Sequence, residues 1–212
     1  MTTPTEVLKS YLQSQRDALV WKLDGLSERD LRRPLTPTGT NLLGIVKHVA
    51  SVETGYLCEC FGRPAPFAMP WLADDAEDNA DMWATAKESR EQILDMYAAA
   101  WAADDAAIDE LGLEAEGRVP WWPAERNPVT MQTLLIHMIA ETARHAGQAD
   151  ILREQLDGAV GYRPVNDNMP PGSEQWWRDY VARLQQVADG FGEDDGAGPA
   201  AGPEPTPDPT PG

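Results

Sequence analysis

"TLLIHMIAETARHAGQADILREQLDG", residues 133–158, decides the fold class. At about 100° per residue on a helical wheel, Leu134, Met138, Glu141, His145, Gln148 and Leu152 fall in one narrow stripe. The flanks complete a helix. Thr130 is a natural N-cap, and Gly158 follows Asp157 as a stop. The stripe is apolar at both ends and ionisable at its centre, where leucine would be the undemanding choice. An unpaired buried carboxylate is costly, so Glu141 needs a partner. Two readings are open. Glu141 and His145, four apart on one face, form a buried polar pair, or they are two ligands of a metal that needs a third.

The same period runs through most of the chain. Residues 5–24 place Val7, Leu8, Tyr11, Leu12, Gln15, Ala18, Leu19 and Leu23 on one face, with Pro4 in the first turn. "LSERDLRRP" reads as a single turn capped by Ser27 and stopped at Pro34. A helix from Asn41 to Phe61 follows, with Leu42, Ile45, Val46, Val49, Val52, Tyr56, Leu57 and Cys60 on one side and Gly62 as its stop. "RPAPFAMPWLADD" and "VPWWPAERNP" are proline-bounded loops. Between them the spacing predicts a helix over 79–103, anchored by Trp83, Ile93, Tyr97 and Trp101. "SEQWWRDYVARLQQVADG" predicts a shorter helix capped at Ser173, with Glu174 in its first turn. With no strand pattern longer than a few residues, the fold class is all-α: a four-helix bundle with an extra short C-terminal helix. Residues 1–190 form the bundle. Residues 191–212 are rich in proline, glycine and acid, carry no aliphatic anchor, and are expected to be a disordered tail.

Bulk properties narrow the function. A net charge of −18 repels nucleic-acid phosphates and anionic lipid, so no nucleic-acid or membrane partner is expected. No apolar run approaches the roughly 20 residues of a membrane span. The N-terminus lacks a secretory pattern, so the expected location is the cytoplasm. Cys58 and Cys60, two apart in a helix, cannot readily bond to each other and read as packed or surface thiols.

The chain has three histidines, His48, His137 and His145. His48 lies on the flank of the apolar arc of its helix, near Asn41, Val52 and Gly55, where it can face a neighbouring helix. Gly44 and Gly55 beside it permit close approach. A histidine from a facing helix would complete three protein ligands, and a His, Glu, His set with an open fourth position suits zinc. Nickel, manganese and iron accept the same donors. Glu53, inside an apolar arc, is either a salt-bridge partner or a group that supports the site. His137, two turns before His145, reads as a satisfied core histidine or a supporting group. The tryptophans at 121, 122, 176 and 177 read as core or lid anchors. G-x-S-x-G, P-loop, dinucleotide and H-E-x-x-H motifs are all absent.

Two segments together resemble the DinB/YfiT-like metalloprotein superfamily. "TNLLGIVKHVASVETGYLCECFGRP", residues 40–64, is similar to its second helix with a single histidine. Residues 133–158 are similar to its fourth, whose motif is H-x-x-x-H-x-G-Q; here Glu141 replaces the first histidine in "ETARHAGQ". That version resembles the His-Glu-His branch of mycothiol-dependent maleylpyruvate isomerase N-terminal domains. The resemblance covers roughly residues 5–160. It implies a DinB-like bundle with His48, Glu141 and His145 as ligands of a divalent metal, zinc first. It also implies a low-molecular-weight thiol, such as mycothiol, as cosubstrate of S-transfer to a small electrophile, and a homodimer. Glu53, His137 and Arg144 are then candidates to orient ligands or substrate. The loops 62–74 and 118–128 are expected to cover the electrophile. The isomerase carries a second, C-terminal domain; this sequence offers one short helix and the tail, so the isomerase's own reaction is not implied. A non-catalytic metal-binding or stress-response bundle and a metal-dependent hydrolase are the rival functions.

Overall fold

The computed structural model describes residues 2–165 and 167–191. Six α-helices follow in chain order: α1 (Pro4–Trp21), α2 (Glu28–Arg32), α3 (Leu42–Leu57), α4 (Arg90–Leu111), α5 (Met131–Asp157) and α6 (Glu174–Asp189). The fold is an all-α bundle, with one two-residue hairpin, β1 (Glu116–Gly117) antiparallel to β2 (Val129–Thr130). Caps set the ends. Thr3, Ser27, Asn41, Ser89, Thr130 and Ser173 each accept a backbone N–H from the first turn of the helix they precede. Gly158 closes α5 in the left-handed conformation that favours glycine.

The bundle consists of α1, α3, α4 and α5. α1 packs on α5, and α3 packs on both α4 and α5. α3 is the central helix; only Val52 along its length is partly open. The core falls into two halves. One gathers Leu19, Ile45, Val49, Tyr97 and Leu152, and the other Leu12, Leu57, Ile108, Leu134 and Met138. The sequence order of these residues gives the helix directions. α1 and α5 run one way, and α3 and α4 the other. Two successive helices pointing the same way need a connection that travels back along the bundle. Residues 58–89 make it, and they pass over the face that carries the site described below.

A polar layer lies between the two apolar halves. The Arg16 guanidinium of α1 is fully buried and pairs with Glu53 of α3 and with Asp105 of α4, the latter at 2.9 Å. Asp104 accepts from the Cys58 thiol at 3.1 Å. Burial pushes the carboxyl groups of both Glu53 and Asp104 upward; Arg16 opposes this at Glu53, and the Glu53 charge adds to it at Asp104.

The helix expected over 79–103 is corrected to Arg90–Leu111. Asn79 takes a left-handed backbone (φ 60°), Ala80–Met82 form a single tight turn, and Trp83 is extended. The true start is the reciprocal cap of Ser89 and Gln92. The helix expected over 41–61 is regular to Leu57 and tightens to one further turn at Glu59–Phe61 before Gly62. On α1, Val7 and Tyr11 are exposed where a buried face was expected, and Arg16 is buried in their stead. α6 forms as expected but buries no side chain. The expected disordered tail, apart from its first residue Phe191, lies outside the described residues. Among the described residues, no helix is long and apolar enough to cross a membrane.

Candidate metal centre

α3 and α5 bring His48, Glu141 and His145 together. One ligand atom from each residue lies within 4.8 Å of the others. The two imidazoles meet edge to face, with ring centroids 4.8 Å apart. His48 and His145 are buried, at 6% and 7% exposure, while Glu141 is half-buried. The i, i+4 spacing on α5 points Glu141 and His145 the same way.

The outer nitrogen of each ring is tied. His48 donates from Nδ1 to Oδ2 of Asp81 at 2.5 Å. Asp81 is buried, and burial pushes its carboxyl up; the His48 hydrogen bond and charge outweigh this and hold it below the ordinary aspartate value. An ionised Asp81 only accepts, so Nδ1 of His48 carries a proton, and Nε2 is the nitrogen left to face Glu141 and His145. The tight turn carrying Asp81 is itself fastened to α3. Lys47 Nζ donates to the carbonyls of Ala80 and Trp83 at 3.0 and 3.1 Å, and Asn41 Nδ2 donates to that of Met82 at 3.1 Å. Gly44 lets this segment approach, since a Cβ there would overlap the Met82 carbonyl.

On α5, Nδ1 of His145 lies 2.9 Å from Oε1 of Gln148, and Nε2 lies 3.0 Å from Oε1 of Glu141. With Gln148 accepting the Nδ1 proton, Nε2 of a neutral ring and the carboxylate both present lone pairs. They approach this closely only with a proton or a cation between them. The His145 hydrogen bond holds Glu141 below the ordinary glutamate value against burial, and the attraction of the neighbouring imidazoles in their protonated forms acts in the same direction. Two imidazole nitrogens and one carboxylate oxygen are donors that fit a divalent cation, and histidines tied through their second nitrogen are the usual support for one.

The supporting candidates divide. His137, one turn before Glu141, packs edge-on against Tyr56 and Trp122, with ring centroids 4.8 and 5.4 Å away. Burial, reinforced by Arg126 and opposed by Glu141, lowers its pKa, so it is neutral at pH 7. Glu53 lies in the polar layer as the partner of Arg16, five residues and more than a quarter turn from His48. Arg144 is exposed on the outer side of α5. Asp81 went unrecognised in the sequence because it fell inside a helix expected to start at Asn79. Both cysteines are buried, and burial pushes both thiols up, Cys60 to about 12. Neither is a thiolate at neutral pH.

A helical bundle that presents two histidines and a glutamate from facing helices defines the DinB-like class. Residues 7–158 match the family described as Mycothiol-S-transferase, and the chain belongs to that family. A search of the curated proteins finds no match.

Proposed function

We propose that the protein is a divalent-metal-dependent S-transferase that joins mycothiol, or a related low-molecular-weight thiol, to small electrophiles. The observation that carries this is the convergence of His48, Glu141 and His145, in a chain of the mycothiol-S-transferase family. These three residues would hold the ion, with zinc as the first choice for this donor set. When bound, such an ion supplies Lewis acidity that lowers the pKa of a coordinated thiol.

The chain's own groups supply the rest. Asp81 and Gln148 fix the orientation of the two rings. His137, neutral at pH 7 and on the Glu141 side of the site, is the candidate acceptor for the thiol proton. The reacting sulfur belongs to the cosubstrate, because Cys58 and Cys60 are held as thiols. In the reaction the thiol S–H gives up its proton, a carbon–sulfur bond forms, and the leaving group departs with its bonding pair. A strained or unsaturated electrophile is instead opened and protonated. Arg144 and Glu53 have no role at the reacting atoms in this scheme.

The test is turnover of mycothiol with a panel of electrophiles by protein stripped of metal and then reloaded with zinc, nickel or manganese. Thiol-dependent turnover restored by metal supports S-transfer. Turnover that ignores added thiol would select hydrolysis. No turnover of either kind would leave a non-catalytic metal-binding bundle.

A further inference from the structure

A cavity of about 260 Å³ opens on α3 beside the metal centre. Its lining begins one turn beyond His48 on the same helix face, with Ser51, Val52 and Gly55. Leu72 and Trp121 close it from the two proline-rich loops, and Tyr56 and Glu59 complete the wall. Tyr56 also touches His137, so the cavity and the ligand face of α5 share that wall. The loops are held in place. Trp71 donates from Nε1 to Ser51 Oγ at 2.9 Å and lies over Lys47, while Trp121 and Trp122 donate to the Tyr56 hydroxyl at 3.1 and 3.2 Å.

Gly55 explains why the cavity exists. A glycine inside a helix costs about 1 kcal/mol relative to alanine. Gly44 is required by packing, but Gly55 is not: a Cβ there would meet Trp121 and Glu59 at an ordinary 3.8 and 3.9 Å. What glycine supplies at 55 is the empty space above it.

The polar groups of the cavity are few and distinct. Ser51 Oγ is used on both sides, donating to the Lys47 carbonyl and accepting from Trp71. The Tyr56 oxygen accepts twice, and among the described residues its own hydrogen has no acceptor. The lining therefore carries one hydroxyl, on Tyr56, whose hydrogen is unused, and one carboxylate, Glu59, at an exposed position. The C-terminal end of α3 adds further negative potential beside it. The volume lies below the roughly 300 Å³ at which pockets begin to take drug-sized ligands.

We propose that this cavity seats the electrophile, and that it selects small, flat, uncharged or cationic molecules bearing a hydrogen-bond acceptor while rejecting carboxylates. The role as electrophile site rests on the S-transfer reading; the binding preference does not. With an aryl chloride, a carbon–sulfur bond forms, the carbon–chlorine bond breaks, chloride leaves with the pair, and the thiol proton is released.

Binding is measured first, by quenching of tryptophan fluorescence, using the metal-loaded protein and two unreactive probes, dinitrobenzamide and dinitrobenzoate. The amide is expected to bind at least on the order of tenfold more tightly than the acid, since a like charge at a partly desolvated rim costs that much. In Glu59→Gln, an exposed position, the gap should shrink to about twofold. Gly55→Leu should abolish binding of both while metal content and unfolding temperature hold. Equal binding of acid and amide, no binding of either, or undiminished binding by Gly55→Leu would overturn the proposal. The matching chlorodinitrobenzamide with mycothiol separates the two readings. Binding without turnover removes S-transfer and leaves the cavity's preference standing. Turnover without discrimination between amide and acid removes the preference and leaves S-transfer.

Discussion

His48 and Asp81, thirty-three residues apart, share a 2.5 Å hydrogen bond from Nδ1 to Oδ2, and the aspartate sits in a tight turn rather than a helix. The bond fixes which nitrogen of His48 is free to ligate and increases its basicity. Asp81→Ala is therefore expected to weaken zinc binding by about ten- to a hundredfold, with Asp81→Asn in between. Competition against a chromophoric chelator measures it. Unchanged affinity in the alanine variant would show that the bond does not support the ligand.

Gly44 links packing to the same bond. Gly44→Ala drives a Cβ into the Met82 carbonyl and pushes the segment carrying Asp81 off α3. The expected outcome is a loss of about 1–3 kcal/mol in denaturant unfolding together with weaker zinc binding. Gly55→Ala, which meets only ordinary contacts, should leave stability equal or higher. Equal behaviour of the two variants would contradict the distinction drawn between them.

Arg16 is the only guanidinium on the buried carboxylates of the polar layer among the described residues. Arg16→Met leaves Glu53 buried without its cation. Breaking such a pair from one side costs about 3–5 kcal/mol, readable in a urea titration. A loss below about 1 kcal/mol would mean that Glu53 is already neutral in the folded protein.

Oε2 of Glu53 and Oδ2 of Asp104 both lack a donor, and the two carboxyl groups lie within hydrogen-bonding reach. One proton shared between them satisfies both. Asp104 has a folded pKa raised well above its ordinary value, chiefly by burial and next by the Glu53 charge. Unfolded, it titrates near the ordinary aspartate value, about 3.9. Between these values the folded chain binds the extra proton, so this contribution to stability is present at low pH and is lost as pH rises toward the folded pKa. Asp104→Asn supplies a permanent N–H in place of that proton. Melting curves from pH 5 to 9 should fall less steeply for the variant, which should match or exceed the parent at pH 8. A steeper fall would contradict the shared proton.

The parts of the site that sequence could reveal were those carried by helical phase. Glu141 and His145 stand at the centre of an apolar stripe, and His48 on the flank of another, because 3.6-residue periodicity survives without any knowledge of neighbours. Asp81 carried no such signal. Its segment has no period, and Trp83, which the spacing predicts as a helical anchor, has an extended backbone. The Ser89-x-x-Gln92 box marked the true helix start and was the available clue. Arg16 was missed because a guanidinium counts as solvent-facing on a wheel until a buried acid is placed against it. Glu53 announced that acid; the packing of α1 against α5 and α4 brings the Arg16 guanidinium to it. The junction of Tyr56 with Trp121 and Trp122 joins α3 to a loop some sixty-five residues later, which no local pattern encodes.

The most direct measurement is elemental analysis of the protein purified without chelator, beside His145→Ala and Glu141→Gln variants shown to be folded by their circular dichroism. About one divalent ion per chain is expected in the parent, with most of it lost in both variants. Equal metal in all three proteins would contradict the assignment of His48, Glu141 and His145 as the ligands.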